Sequence, residues 1–544
     1  MLKKIVLFVS ILFIATTAGV SQPLQTVAEK SHYTATSTFE DVMAFLHQLQ
    51  AKSTEIRLTT IAVSAEGRPV VMAILGNPPP ETPLQANVLK KPVVYAQANI
   101  HAGEVEGKEA MLALMRDILL GPRHALVENQ IVLMVPNFNP DGNQKISRTH
   151  RTNQVGPLKG VGVRANGQGL DLNRDFVKLE TPEVSGLVEK VWDKWDPILF
   201  VDMHTTNGSD HHEPLTWAGP HNPNMNPQIY AYVHARMLPA IRKKLLKEKG
   251  IASIPYGYFK DRTHPNAGWV TFDHKARYST NYAGLRNRFS ILDENYAYAD
   301  YKTRVTVAYE FLREILQYTH DFGPEMQTLV RSVDQSTMAA GANPDTARYR
   351  FGTAIEALPF KEPLTIQGYE FSVTTDSAGK KRYRKLEKSK IYHPLFYGDF
   401  TVIKSVPIPR GYIIPSTLPK IIAKLEQHGI VVERLCAPVK LRVQKFQFHK
   451  LYPGKRPFQG HWLTRVTVSS AFETDTIPAG YYFVGMNQPL APLIATLLEP
   501  ESDDGLLVWN FFDRYLTAEW SRRLGDYPVF KVFDRAPALR KIVN

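Results

Sequence analysis

"YAQANIHAGEVEGKEAML" (residues 95–112) begins as an apolar run and ends with apolar residues at helical spacing, and a histidine stands three residues before a glutamate where the two meet. The run that leads into it, "KPVVYAQANI" (91–100), is continuously apolar rather than alternating, which is the pattern of a strand buried on both faces. The crossing from strand to helix therefore places His101 and Glu104 at a strand end. With 17 histidines in the chain, roughly one His-x-x-Glu pair is expected by chance, so the pair needs partners before it means anything.

Working outward, the same grammar repeats. "STFEDVMAFLHQLQAKS" reads as a helix opened by a capping box of Ser37 with Glu40, and "IRLTTIAVSAEGRPVVMAIL" as two strands around a turn at Glu66 and Gly67. "KEAMLALMRDILLG" is a helix ended by Gly121, "QIVLMVPNF" a strand, "TPEVSGLVEKVWDKW" a helix and "PILFVDMH" a strand. Strands alternating with helices predict an α/β fold, a mixed, mostly parallel sheet flanked by helices. Two later helices are expected, one closed at Gly250 and one, "YKTRVTVAYEFLREILQYTHDFG", closed near Gly323.

At 544 residues the chain exceeds one ordinary core. The expected organisation is a leader at 1–21, a catalytic domain at 30–325, a linker at 326–349 containing "GANPDTARYR", and a β-rich accessory domain at 350–544. The leader reading rests on Lys3 and Lys4, the apolar run Ile5–Ala15 and the small residues through Ser21, the pattern of a secretory signal. The mature protein is expected to be periplasmic or extracellular, with no transmembrane span. The only cysteine, Cys436, can form no internal disulfide, so stability must come from core size or a bound metal. The net charge of +13 fits an anionic partner or simply a basic soluble surface; the second is the expectation, and no nucleic-acid partner is expected.

Polar residues gather where the strands end, the usual place for a site in an open α/β sheet. The stretches are "IHAGE" (100–104), "NFNPDG" (137–142), "GLDLNRDF" (169–176) and "VDMHTT" (201–206). A catalytic zinc takes three protein ligands and leaves a fourth position open, and His101, Glu104 and the distant His204 would supply that set. Taken singly, His101 with Glu104 could be a surface ion pair, and His204 a hydrogen-bonded core histidine.

Taken together, these stretches resemble the zinc carboxypeptidases of the M14 type across residues 30–325. The resemblance rests on "SAEGRP", "HAGE", "NPDG", "DLNRDF", "DMHTT" and "ILDENYAYADYKTRV", six motifs in the family's order. It implies one zinc ion per chain held by His101, Glu104 and His204, with Asp171 accepting a hydrogen bond from the ring of His101. It implies that Asn173 and Arg174 hold the free C-terminal carboxylate of a substrate, and that Glu294 is the general base. Adjacent Asp293 competes for that role, but neighbours on a strand face opposite sides, so only one can face the metal. The resemblance also implies an oxyanion-stabilising arginine among Arg148, Arg151 and Arg164. Arg151 is favoured by its distance from "NPDG", with Arg164 in reserve. Tyr278 and Tyr282 are equal candidates for a tyrosine that closes over substrate.

Residues 350–544 lie outside the resemblance. "TTDSAGKKRYRKLEKSK" reads as a hairpin with a basic strand, most simply a solvated edge guarded by lysines. Asp503 and Asp504 in "EPESDDGLLVWNFFD" read as turn residues beside core aromatics. The function expected is an exported zinc carboxypeptidase acting on peptides or proteins with a free C-terminal carboxylate. The alternatives are a zinc amidase or peptidase acting on cell-wall peptides, and a non-catalytic binding protein on the same fold.

Overall fold

The computed structural model describes residues 24–206, 209–517, 523–534, 537–538 and 540–543; the leader stretch 1–21 lies outside them. Eight strands form the main sheet: β1 (Ile56–Val63), β2 (Pro69–Leu75), β3 (Val93–Ala98), β4 (Ile131–Val135), β5 (Leu199–Thr206), β6 (Leu215–Ala218), β7 (Ser253–Pro255) and β8 (Phe289–Tyr296). Their order is β1-β2-β4-β3-β5-β8-β6-β7. At the centre, β3 runs parallel to β4 and β5, and β5 parallel to β8, whereas β1, β2 and β4 pair antiparallel, as do β8 and β6. Every residue of β3, β4, β5 and β8 is buried, as their continuous hydrophobicity requires of strands covered on both faces.

Alternate side chains along these strands serve two cores. Val94, Ala96, Val201 and Met203 pack under helices Phe39–Lys52, Glu106–Leu120 and Tyr301–Ala342. Tyr95, Leu133 and Phe200 face the other way, toward Trp192 and Tyr282, in a core that continues without a break into Ile494 and Trp509 of the C-terminal region. Register decides what meets at the strand ends. Glu294 on β8 lies beside His204 on β5, and Gln97 on β3 beside Asp202.

Two local expectations shift. The helix at Phe39 is capped by Thr38 with Asp41, not by Ser37 with Glu40, because the backbone N–H of Ser37 donates instead to Glu109 (2.6 Å). The helix expected to close near Gly323 runs on to Ala342, through much of the stretch read as a linker. Met326, Val330, Val333 and Thr337 recur at helical spacing and are all buried, so the helix continues to cover the core past Pro324.

The C-terminal region is β-rich, with helices Pro419–Gln427 and Ala491–Leu498 among its strands. It is woven into the first half. Its long strand Leu395–Pro407 pairs in parallel with Trp269–Val270, register Phe396 to Trp269, so one sheet contains segments from both regions. Asp503 and Asp504 tie the regions together as well. Asp503 lies 2.7 Å from His274 Nε2, and Asp504 accepts from the backbone N–H (2.8 Å) and Nε (2.9 Å) of Arg277.

Candidate metal centre and its pocket

The ends of β3, β5 and β8 open into a cavity of about 600 Å³, and the candidate residues meet on its floor. His101, Glu104 and His204 are each only 3% exposed, and one ligand atom from each lies within 4.8 Å of the others. The Nδ1 atoms of the two histidines are 3.2 Å apart; Glu104 Oε1 is 3.1 Å from His101 Nδ1 and Glu104 Oε2 is 2.9 Å from His204 Nδ1. Two nitrogens on a tetrahedral zinc with bonds of about 2.0–2.1 Å stand roughly 3.3 Å apart, so these donors are spaced to share one small cation.

The back of each ring explains why Nδ1 faces inward. His101 Nε2 lies 3.0 Å from Asp171 Oδ1, and His204 Nε2 lies 3.1 Å from Asp202 Oδ2. An ionised carboxylate only accepts, so each Nε2 carries a proton toward its carboxylate, and Nδ1 is the ring nitrogen turned toward the other donors. Burial pushes Asp202 up, but His204, Ser279 and Gln97 outweigh it and hold the carboxyl below its usual range. Asp171 is likewise held low, its burial outweighed by His101, Arg174 and Arg164. Asp202 was not singled out from the sequence; the available signal was its position two residues before His204, which on a strand puts both on one face.

The glycine of "HAGE" has a packing reason. A Cβ on Gly103 would come within 2.2 Å of Arg151 Cδ and 2.9 Å of the Gly162 carbonyl oxygen. Arg151 lies across this glycine with a left-handed φ of 50°, and its Nη2 reaches Glu104 Oε1 at 2.9 Å. Gln154 fixes it there, accepting from Arg151 Nε (3.1 Å) and donating to the Gly103 carbonyl (3.0 Å). Burial raises the Glu104 carboxyl, yet His101 and Arg151 hold it well below the ordinary carboxylate range.

Arg164 also borders the cavity, but its Nε donates to Asp171 Oδ2 (2.8 Å), while Arg148 is exposed and does not line it. Asn173 accepts from the Ser279 backbone N–H (2.9 Å), and its amide lies 3.4 Å from His204 Nε2. Arg174 is anchored by donating to the Asn173 carbonyl (2.6 Å) and lies 4.5 Å over the Tyr278 ring. Neighbouring Asp175 instead binds Lys178 and Thr181, leaving Arg174 for the cavity. Tyr278 borders the cavity, whereas Tyr282 is buried with its hydroxyl 2.8 Å from His428 Nδ1.

Glu294 faces the cavity and Asp293 faces the opposite side of the sheet, bound by the amide of Asn295 (3.0 Å). Burial pushes the Glu294 carboxyl up, against the pull of His204. Tyr256, also not singled out from the sequence, lies in the same cavity, where burial and the charges of Glu294 and Glu104 keep it a neutral phenol.

Three inward donors backed by two carboxylates, with a buried acid beside them, form an arrangement able to hold one small cation next to a proton-accepting group. Residues 42–236 match the family model for zinc carboxypeptidases, a segment that includes His101, Glu104, Asn173, Arg174 and His204. Carboxypeptidase 2 of Trichophyton tonsurans is 23% identical over 464 residues, covering 81% of this chain and 76% of that one. Human carboxypeptidase D is 26% identical over 173 residues, 30% of this chain and 12% of that one. Among solved structures, a metallo-carboxypeptidase from Burkholderia cenocepacia aligns with a TM-score of 0.38 at 19% identity, covering 52% of this chain and 69% of that one. Carboxypeptidase A from Helicoverpa armigera aligns with a TM-score of 0.39 at 18% identity, covering 52% and 73%.

Proposed function

We propose that this chain is an exported carboxypeptidase that uses one zinc ion, held by His101, Glu104 and His204, to hydrolyse the C-terminal peptide bond of peptides or proteins. The observation that carries the reading is the convergence of those three donors with Glu294, Asn173 and Arg174 around one cavity. A zinc ion there supplies Lewis acidity and draws the pKa of a bound water toward about 7. Asn173 and Arg174 hold the terminal carboxylate of the substrate, the guanidinium offering a bidentate fork. Glu294 takes a proton from the attacking water and returns it to the departing amine nitrogen. Arg151 faces the oxygen that gains charge as the carbonyl is attacked, a role supported by its tether to Gln154 and by the commitment of Arg164 to Asp171. Tyr278 borders the carboxylate place through its contact with Arg174. Export is supported by the leader pattern at residues 1–21, and no helix among the described residues is long and apolar enough to cross a membrane.

The test is a pair of peptides that differ only at the C-terminus, one with a free carboxylate and one amidated. Loss of two hydrogen bonds to a charged group predicts cleavage of the amide roughly 100-fold slower or worse. Equal rates on the two would refute the exopeptidase reading.

A further inference from the structure

The cavity has a wall that does not come from the first half of the chain. Strands Val439–Pro453 and Thr464–Ile477 of the C-terminal region end in a tight turn, Phe458–His461, whose Gln459 and Gly460 have φ of 51° and 81°. Two successive left-handed residues make a compact two-residue hairpin turn, and Phe458 and His461 exchange backbone hydrogen bonds of 2.8 and 3.0 Å across it. Three ties fix this turn against the site. Gln459 Oε1 accepts from the backbone N–H of Asp171 (2.8 Å), His461 Nε2 lies 2.9 Å from Glu180, and the Phe458 ring lies 5.3 Å from the guanidinium of Arg277. Arg277 is in turn held by Asp504 and stacked on Trp509 (4.6 Å). The ring of Phe458 is thereby held in the lining of the cavity that contains Arg174 and Glu294.

When the ligands, the arginines, Asp171, Asn173 and Glu294 are set aside, the remaining lining carries no charge. Its larger members are Tyr256, Phe272, Tyr278, Leu292 and Phe458. The Phe272 ring lies 6.1 Å from the Tyr256 ring and 5.5 Å from the Tyr278 ring, so these aromatics form one patch; an apolar ring set against it would gain aromatic contact, whereas a charged side chain would lose water there.

Resting on the carboxypeptidase reading, we propose that Phe458 is a specificity-determining residue, brought from the C-terminal region to line the binding place of an apolar or aromatic side chain at the C-terminal residue of the substrate. The C-terminal region then completes the substrate pocket rather than merely covering it.

The experiment uses the full chain loaded with zinc and peptides identical except for a C-terminal Phe, Ala, Arg or Glu. Wild type is expected to prefer Phe. Phe458→Ala is expected to lower kcat/KM about ten-fold on the Phe-ended peptide, mainly through KM, and less than about two-fold on the Ala-ended one. Phe458→Leu, which keeps apolar volume and serves if the alanine variant does not fold, is expected to fall between them. A wild-type preference for Arg or Glu overturns the proposal. So does an unchanged Phe-to-Ala ratio in the variants while wild type remains active. Wild-type failure on all four peptides overturns the carboxypeptidase reading itself, and the proposal with it.

Discussion

The cavity has two walls of different construction. The metal wall is made of residues at the ends of three adjacent strands, where sheet register alone brings Glu294 beside His204 and Asp202 beside Gln97. The substrate wall is made of Phe272 and Tyr278 from the segment before β8 and Phe458 from a turn far along the chain, held by ion pairs and stacked rings. The first is stiff because His204 and Glu294 belong to buried strands and His101 and Glu104 to the short, fully buried turn that follows β3. The second is assembled by side chains and by one shared sheet between the halves of the molecule. Chemistry that depends on ångström placement sits on the first, and recognition, which tolerates more variation, on the second.

Substitutions in the two walls should therefore fail differently. The largest effect is expected at Glu294: Glu294→Gln should lower kcat by roughly 10³-fold or more while zinc content stays that of wild type. Near wild-type turnover would remove Glu294 from proton transfer. Next comes the choice between two arginines on the metal wall. Arg151→Ala should cost about 10²–10³ in kcat, the scale of one lost oxyanion donor, and Arg164→Ala distinctly less. The reverse ranking, measured under saturating substrate, would transfer the role to Arg164.

The smallest effect belongs to the contact between the halves and is read in stability. His428 of the C-terminal region is buried with Nδ1 2.8 Å from the Tyr282 hydroxyl and Nε2 3.0 Å from the Val177 carbonyl, and burial lowers its pKa to about 3. Its folded pKa lies below the unfolded value of about 6.5, so on acidification the unfolded chain takes up a proton that the folded chain refuses. The stability this neutral histidine contributes is fully present above about pH 6.5 and is lost progressively as pH falls toward 3. Melting temperature should drop across that window, and less steeply in His428→Gln; parallel slopes for the two proteins would show that another group governs the acid response.

The meeting of these residues on the cavity floor was legible in the sequence because each candidate ligand sits in a short motif at a strand end, and strand ends can be read from apolar runs. The pair in "HAGE", the acid of "DLN" and the histidine of "DMH" needed only the sheet to bring them together. Asp202 escaped notice because an aspartate two residues before a histidine carries no signal until the strand's facing side is known. The choice between Arg151 and Arg164 turns on hydrogen bonds to Gln154 and Asp171, which spacing does not encode. Phe458 was invisible for a stronger reason: its place depends on a turn docked on Asp171, Glu180 and Arg277, and nothing in the local sequence links residues 458–461 to those positions. The helix past Gly323 was missed because Pro324 and a thinner hydrophobic stripe look like a stop, although Met326, Val330 and Val333 keep the helical period.

The central claim is that three side chains hold one metal ion, and anomalous diffraction at the zinc edge from crystals of the zinc-loaded full chain tests it most directly. The account predicts a single strong peak in the cavity, about 2.0–2.2 Å from Nδ1 of His101, Nδ1 of His204 and a carboxylate oxygen of Glu104. A peak coordinated by other side chains, or a cavity without anomalous signal in protein saturated with zinc, would contradict it.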